Sequence, residues 1–216
     1  MRVRADRARV RRRAGVRRGG RHLSPPRRPG SFAVITESAG PAAIARAERD
    51  ILVEALASGA TAVDAPDSPG EQRALESWRD GVSPAVVAVR GGKVSEDFAV
   101  PFDRLGDALD MLERIGREHG AEVACWGHAG DGNVHASVLV DRADRAALRA
   151  AETVADAFHE VPRALGGSLT AEHGIGFVKL ATAASLAPEL LHAQRAVVDA
   201  LDPLRLANPR RKIPPV

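Results

Sequence analysis

A chain of 216 residues, 44% apolar and 27% charged, is long enough to bury a core and has the composition of an ordinary soluble globular protein, while 3% aromatics and no Tyr leave that core to Ala, Val and Leu. No apolar run reaches bilayer-spanning length, and the single cysteine, Cys125, excludes an internal disulfide framework and fits a reducing, cytoplasmic compartment. The net charge of +3 joins two opposed parts: residues 1–30 hold 12 Arg and one acid, Asp6, which leaves 19 basic and 27 acidic residues, a net −8, for 31–216.

Residues 1–30 repeat Arg in runs such as Arg11-Arg12-Arg13 and end in Ser24-Pro25-Pro26, with almost no apolar periodicity. Such a segment cannot bury enough surface to offset its ordering entropy, so it is expected to be disordered. It reads as a nucleic-acid arm, as an organelle presequence, or as upstream DNA translated in a wrong frame. The last reading suits a chain with 28 Arg against three Lys and is the preferred one.

From Ser31 the pattern becomes regular, and 31–216 is read as one domain. Phe32–Thr36 is a short strand candidate. Pro41–Ser58 is an amphipathic helix opened by Pro and closed by Gly59. Thr61–Val63 is a second strand candidate, and Ser68–Arg79 a helix whose Ser68 and Glu71 match a capping box. Ala85–Val89 and Asp97–Val100 read as strands around a Gly91-Gly92 turn. Phe102–His119 is a strongly periodic helix ending at Gly120, Glu122–Val140 a hairpin, and Asp141–Leu165 one long helix. Phe177–Leu201 reads as one or two helices with Pro188 between them. Strands that recur in pairs between helices favour an α+β fold with an antiparallel sheet over a doubly wound parallel one.

The hairpin is the most informative segment. Asp131-Gly132 between strand-like runs is the signature of a two-residue type I′ turn, which needs φ > 0 at both positions. That register sets His128 opposite His135 on one face, with Val123, Cys125, Val134, Ala136, Val138 and Val140 on the other, apolar face. An opposed imidazole pair beside a glycine-rich turn suits a metal or catalytic role; the alternative is one surface histidine and one satisfied by a neighbour. Downstream, Gly166-Gly167 and Gly174-Ile175-Gly176 bracket Glu172 and His173. His128, His135 and Glu172 would form a three-ligand site with an open position, with His173 left as a general base. A turn carrying a solvated Glu-His pair explains the second segment equally well.

The patterns G-H-x-G-D-G-N-x-H at 127–135 and A-E-H-G-I-G-x-x-K at 171–179 resemble the C-terminal cap domain of FAD-linked oxidases. This is the family of D-lactate, D-2-hydroxyglutarate and glycolate dehydrogenases, whose flavin domain is of the vanillyl-alcohol oxidase type. Trp78-Arg79-Asp80, Glu96-Asp97-Phe98-Ala99-Val100-Pro101, Leu201-Asp202-Pro203 and Asn208-Pro209 extend the resemblance over nearly all of 31–216.

The resemblance implies a ferredoxin-like cap domain, incomplete at its N-terminal end. It implies a divalent metal, Zn or Mn, on His128, His135 and Glu172, and His173 as the base that takes the hydroxyl proton while hydride passes to FAD. Arg79 and Asn133 match substrate-binding positions, and Asn208 a position near the flavin. Arg79 reads equally as a basic residue favourable to a helix C-terminus. Lys179 matches a family lysine, or else is a surface lysine on a helix. Ser95 stands where members with long dicarboxylate substrates carry lysine, which argues for a small monocarboxylate.

The Gly-rich pyrophosphate loops of the flavin domain are not found in the sequence. The expectation is therefore part of an FAD-dependent 2-hydroxyacid dehydrogenase without its own flavin domain. Its partners would be a small 2-hydroxy acid, a flavin-binding domain or subunit and an unidentified electron acceptor, in the cytoplasm or peripheral at a membrane's inner face. Alternatives are a non-enzymatic remnant, a metal-dependent hydrolase, and a basic-arm nucleic-acid-binding protein. The acidic body and the lack of interleaved aromatics count against the last, so no nucleic-acid partner is expected.

Overall fold

A computed structural model of the chain describes residues 16–17, 32–209, 211 and 213. The expectation of disorder for 1–30 lies outside the described residues, except at Val16–Arg17. Two compact units are present, residues 1–89 and 90–216. No helix among the described residues is long and apolar enough to cross a membrane.

In the first unit, β1 (Val16–Arg17) pairs in parallel with β2 (Val63–Asp64), Val16 against Val63. Helix α1 (Ala42–Ala57) begins after Pro41, whose carbonyl accepts the N–H groups of Ile44 and Ala45. Helix α2 (Pro69–Asp80) carries the expected capping box: Ser68 accepts the Glu71 N–H, and the Glu71 side chain returns to the Ser68 N–H.

Two expected strands are absent here. Phe32–Thr36 has no regular structure, and Phe32, Val34 and Ile35 are exposed. Strand-like residues without a partner gain no ladder bonds. Ala85–Val89 belongs instead to helix α3 (Val82–Arg90), which buries Val86. Pro84 in the first turn suits a helix start, and the i→i−4 bond from Ala85 to Gly81 begins the ladder. Local helix initiation there overrides the β-propensity of three valines.

The second unit is built on a three-stranded antiparallel sheet in the order β3-β5-β4, with β3 at Lys93–Ala99, β4 at Val123–His128 and β5 at Asn133–Leu139. One face presents Phe98, Cys125, Val134, Ala136 and Val138, all buried. Helices α4 (Leu105–Glu118) and α5 (Arg145–Ala157) pack against the strands, α4 on β4 and α5 on β3 and β5. Helix α4, expected over Phe102–His119, starts after a 3₁₀ turn at Phe102–Arg104, contributes Ala108, Leu112 and Ile115, and is followed by Gly120 at φ 63°. Fully burying side chains such as Leu112, Phe98 and Phe158 stabilises this unit by roughly 1.5–3 kcal/mol each.

The single long helix expected over Asp141–Leu165 is two. Asp144 caps α5 by accepting the N–H groups of Ala146 and Ala147, and α6 runs over Glu160–Leu165. The break follows from Pro162, which lacks an N–H for the Phe158 carbonyl and would clash with it in a continuous helix; Val161 donates to that carbonyl instead. Downstream, the one or two helices expected over Phe177–Leu201 are two, α7 (Leu180–Ala183) and α8 (Pro188–Leu201), and Pro188 is in the first turn of α8 instead of between them.

The hairpin differs from expectation in its turn. The connection is four residues long, a 3₁₀ turn over Ala129–Asp131 followed by Gly132 at φ 69°. Gly132 is held there because its carbonyl accepts the Val100 N–H and an added Cβ would meet the Val100 carbonyl oxygen at 1.9 Å. The cross-strand partner of His128 is therefore Asn133, and that of His135 is Trp126. A register shift of two keeps every side chain on its predicted face.

Candidate metal centre

His128, His135 and Asn133 project from one face of the sheet, because β4 and β5 alternate in phase, and the register of β3 adds Asp97 beside His135. His128 and His135 are diagonal neighbours, their ring centroids 5.9 Å apart at 83°. His135 is on the central strand and buried, whereas His128 is at a strand end and exposed.

Glu172 comes to this face on the loop after α6. Its Oε1 lies 2.9 Å from His135 Nε2 and its Oε2 3.9 Å from His128 Nε2. One donor atom from each of the three residues lies within 4.8 Å of the others. Two imidazoles and a carboxylate at that spacing suit a borderline cation such as zinc or manganese better than calcium, which takes oxygen throughout. His173 stacks on His135, with centroids 5.2 Å apart and planes 25° from parallel, and its Nδ1 lies 3.7 Å from Asp97 Oδ1. It stands next to the three donors without belonging to the set.

The loop is fixed at the free edge of β3. Ser168 exchanges two backbone hydrogen bonds with Ala99, and Gly167 passes so close that a Cβ would fall 2.1 Å from the Ala99 carbonyl oxygen. Asp97 Oδ2 accepts three consecutive backbone N–H groups, from Ala171 at 3.2 Å and from Glu172 and His173 at 3.0 Å. Lys179, 5% exposed, donates to Asp97 Oδ1 at 2.9 Å, to the Asp97 carbonyl and to the Leu169 carbonyl at 3.0 Å. Its Nζ is also 3.2 Å from Glu96 Oε2, which His159 Nε2 meets at 3.1 Å.

These groups bias the site's protonation. Burial alone would raise the Asp97 carboxyl, but the Lys179 hydrogen bond, the His173 N–H and the Lys179 charge outweigh it and hold it below its ordinary range. Burial lowers the His135 imidazole, aided by His173 and His128 and opposed by Glu172 and Asp97. A neutral imidazole is the form that ligates metal.

Of the other sequence-predicted residues, Asn133 is buried on the metal face and its Oδ1 has no hydrogen-bond partner. Arg79 belongs to the other unit, in the last turn of α2, where it pairs with Asp80 at 3.0 Å. Asn208 is exposed, at φ 48°, and accepts the Arg211 N–H. Sequence reasoning missed the role of Asp97 and left Lys179 open between a family lysine and a surface lysine on a helix; it is buried. The available signals were two adjacent acids inside an apolar strand, Glu96-Asp97-Phe98-Ala99-Val100, and one of only three lysines in a chain with 28 arginines.

A family model described as the C-terminal domain of FAD linked oxidases matches residues 7–211. Among curated proteins, the chain is 31% identical over 166 residues to the glycolate oxidase subunit GlcD of Escherichia coli, covering 76% of this chain and 33% of the relative. The Bacillus subtilis GlcD is 28% identical over 167 residues, covering 75% and 35%. The mitochondrial D-2-hydroxyglutarate dehydrogenase of Rattus norvegicus is 30% identical over 200 residues, covering 89% and 36%. The chain thus spans about a third of the length of these relatives.

Proposed function

The chain belongs to the family of FAD linked oxidase C-terminal domains, and from that premise we propose that it forms the substrate-facing part of a 2-hydroxyacid dehydrogenase. The reaction is oxidation of a small D-2-hydroxy acid, lactate or glycolate, to the 2-oxo acid. FAD, held by a separate flavin-binding domain or subunit, supplies the hydride acceptor. The observation that carries this reading is the convergence of His128, His135 and Glu172 with His173 beside them. Relatives named for glycolate, D-lactate and D-2-hydroxyglutarate support the substrate class.

His128, His135 and Glu172 would hold the cation, which supplies positive charge to the hydroxyl and carboxylate oxygens of the substrate. His173 takes the hydroxyl proton; it is exposed, and its Nδ1 lies 3.7 Å from Asp97 Oδ1. The unpartnered Asn133 Oδ1 is an acceptor available to a bound hydroxyl or water. Ser95 stands where members with long dicarboxylate substrates carry lysine, and a neutral side chain there, 2.7 Å from Ser137 Oγ, supports the smaller acids.

The test is titration of the metal-loaded chain with D-lactate and glycolate. Binding should require Zn²⁺ or Mn²⁺, favour D- over L-lactate and vanish with a chelator. Hydroxy-acid binding that ignores the chelator would remove the metal from the account.

A further inference from the structure

Glu172 is the one candidate ligand that does not come from the sheet. It lies in a segment without helix or strand, between α6 and α7, and its side chain is half exposed. What holds it is chemically unusual. Three successive amides, Ala171, Glu172 and His173, converge on a single carboxylate oxygen of Asp97. The other oxygen of that carboxylate accepts from Lys179, which also takes up the outward carbonyl of Asp97 at the sheet edge. Asp97 and Lys179 are both buried. Glu96 Oε2 lies 3.2 Å from the Lys179 ammonium and 3.1 Å from His159 Nε2, and Thr182 Oγ1 meets His159 Nδ1 at 3.2 Å.

We infer that Asp97 and Lys179 are positioning residues that pre-form the metal centre, fixing the backbone of 171–173 so that Glu172 and His173 face His135 before any ion arrives. The inference rests on the metal reading above and adds to it the device that orders the third ligand. A carboxylate is suited to this task, since a charged oxygen binds several N–H groups more strongly than a neutral one does. Lys179 is suited because its ammonium satisfies the Asp97 carbonyl and the Asp97 side chain together. Partners that orient a metal ligand typically account for about 10–100-fold in metal affinity.

The experiment measures amide hydrogen exchange and Zn²⁺ affinity on the whole chain. In the metal-free protein the amides of 171–173 should be protected relative to exposed Phe177 and Val178. Asp97→Asn and Lys179→Met should erase that protection and weaken Zn²⁺ binding at least tenfold while far-UV circular dichroism is retained. Lys179→Arg should restore part of the affinity. A core variant, Val161→Ala, should lower the melting temperature and leave the Zn²⁺ Kd within twofold, which separates positioning from general destabilisation. Unprotected 171–173 amides in the wild type overturn the inference, whether or not the variants fold; so does a Zn²⁺ Kd within twofold in Asp97→Asn. If the wild type binds no zinc, the metal reading fails by itself, and loss of 171–173 protection in the variants still upholds the ordering role.

Discussion

Glu172 pairs with His135 more closely than with His128, 2.9 Å against 3.9 Å. The asymmetry follows from position. His135 is on the central strand with its side chain 10% exposed, whereas the side chain of His128, at the end of β4, is 59% exposed. The carboxylate lies nearer the imidazole that the sheet holds buried.

The two histidines should therefore separate in their effects. His128→Ala is expected to reduce zinc affinity at least tenfold while changing stability by less than about 0.5 kcal/mol, as exposed substitutions usually do. His135→Ala should cost both zinc affinity and about 1–3 kcal/mol of stability, since it opens space in a buried row and frees Glu172. Paired zinc titrations and thermal melts of the two variants check this.

Gly167 is predicted to be intolerant of any side chain. Its Cβ would meet the Ala99 carbonyl oxygen at 2.1 Å, and that obstacle is backbone. Gly167→Ala should push the loop from the β3 edge, costing about 1–3 kcal/mol and weakening zinc binding with it. A melting curve unchanged from wild type would show that the loop does not run against Ala99.

Cys125 faces the core, and burial pushes its thiol up to about 12. A thiol reagent at pH 8 should thus label the native protein only as fast as it opens, and the denatured protein at once. The sign for stability follows the same way. The folded pKa is raised, so the contribution is intact below the ordinary thiol value near 9.0 and is lost as the pH climbs from there toward 12. Melts over pH 7–10 of wild type and Cys125→Ala should diverge only at the alkaline end.

Asp144 caps α5 with two hydrogen bonds, to the Ala146 and Ala147 amides. Asp144→Ala should lower stability by about 0.5–2 kcal/mol, leaving zinc affinity unchanged. Denaturant unfolding measures the first quantity and zinc titration the second.

Much of this architecture is legible in the sequence where local chemistry acts alone. The Ser68–Glu71 capping box and the stripe of α4 are local signals present as read, and Pro188, read as lying between two helices, opens the second of them. The face shared by His128 and His135 is equally legible, because alternation survives a register shift of two. The shift itself depends on Gly132 docking against Val100, a contact between elements that no local pattern encodes. The valines of α3 mislead for a related reason, since a strand needs a partner and a short helix does not. Asp97 is hidden because its partners, the 171–173 amides and Lys179, are more than 70 residues away along the chain.

The most direct measurement of the central claim is a structure of the chain soaked with Zn²⁺, with anomalous diffraction at the zinc edge. The account predicts one strong peak per chain with His128, His135 and Glu172 donors at about 2.0–2.2 Å, His173 beside it and not coordinated, and an open position toward solvent. A zinc peak elsewhere, or a site closed by His173 as a fourth protein ligand, would contradict it.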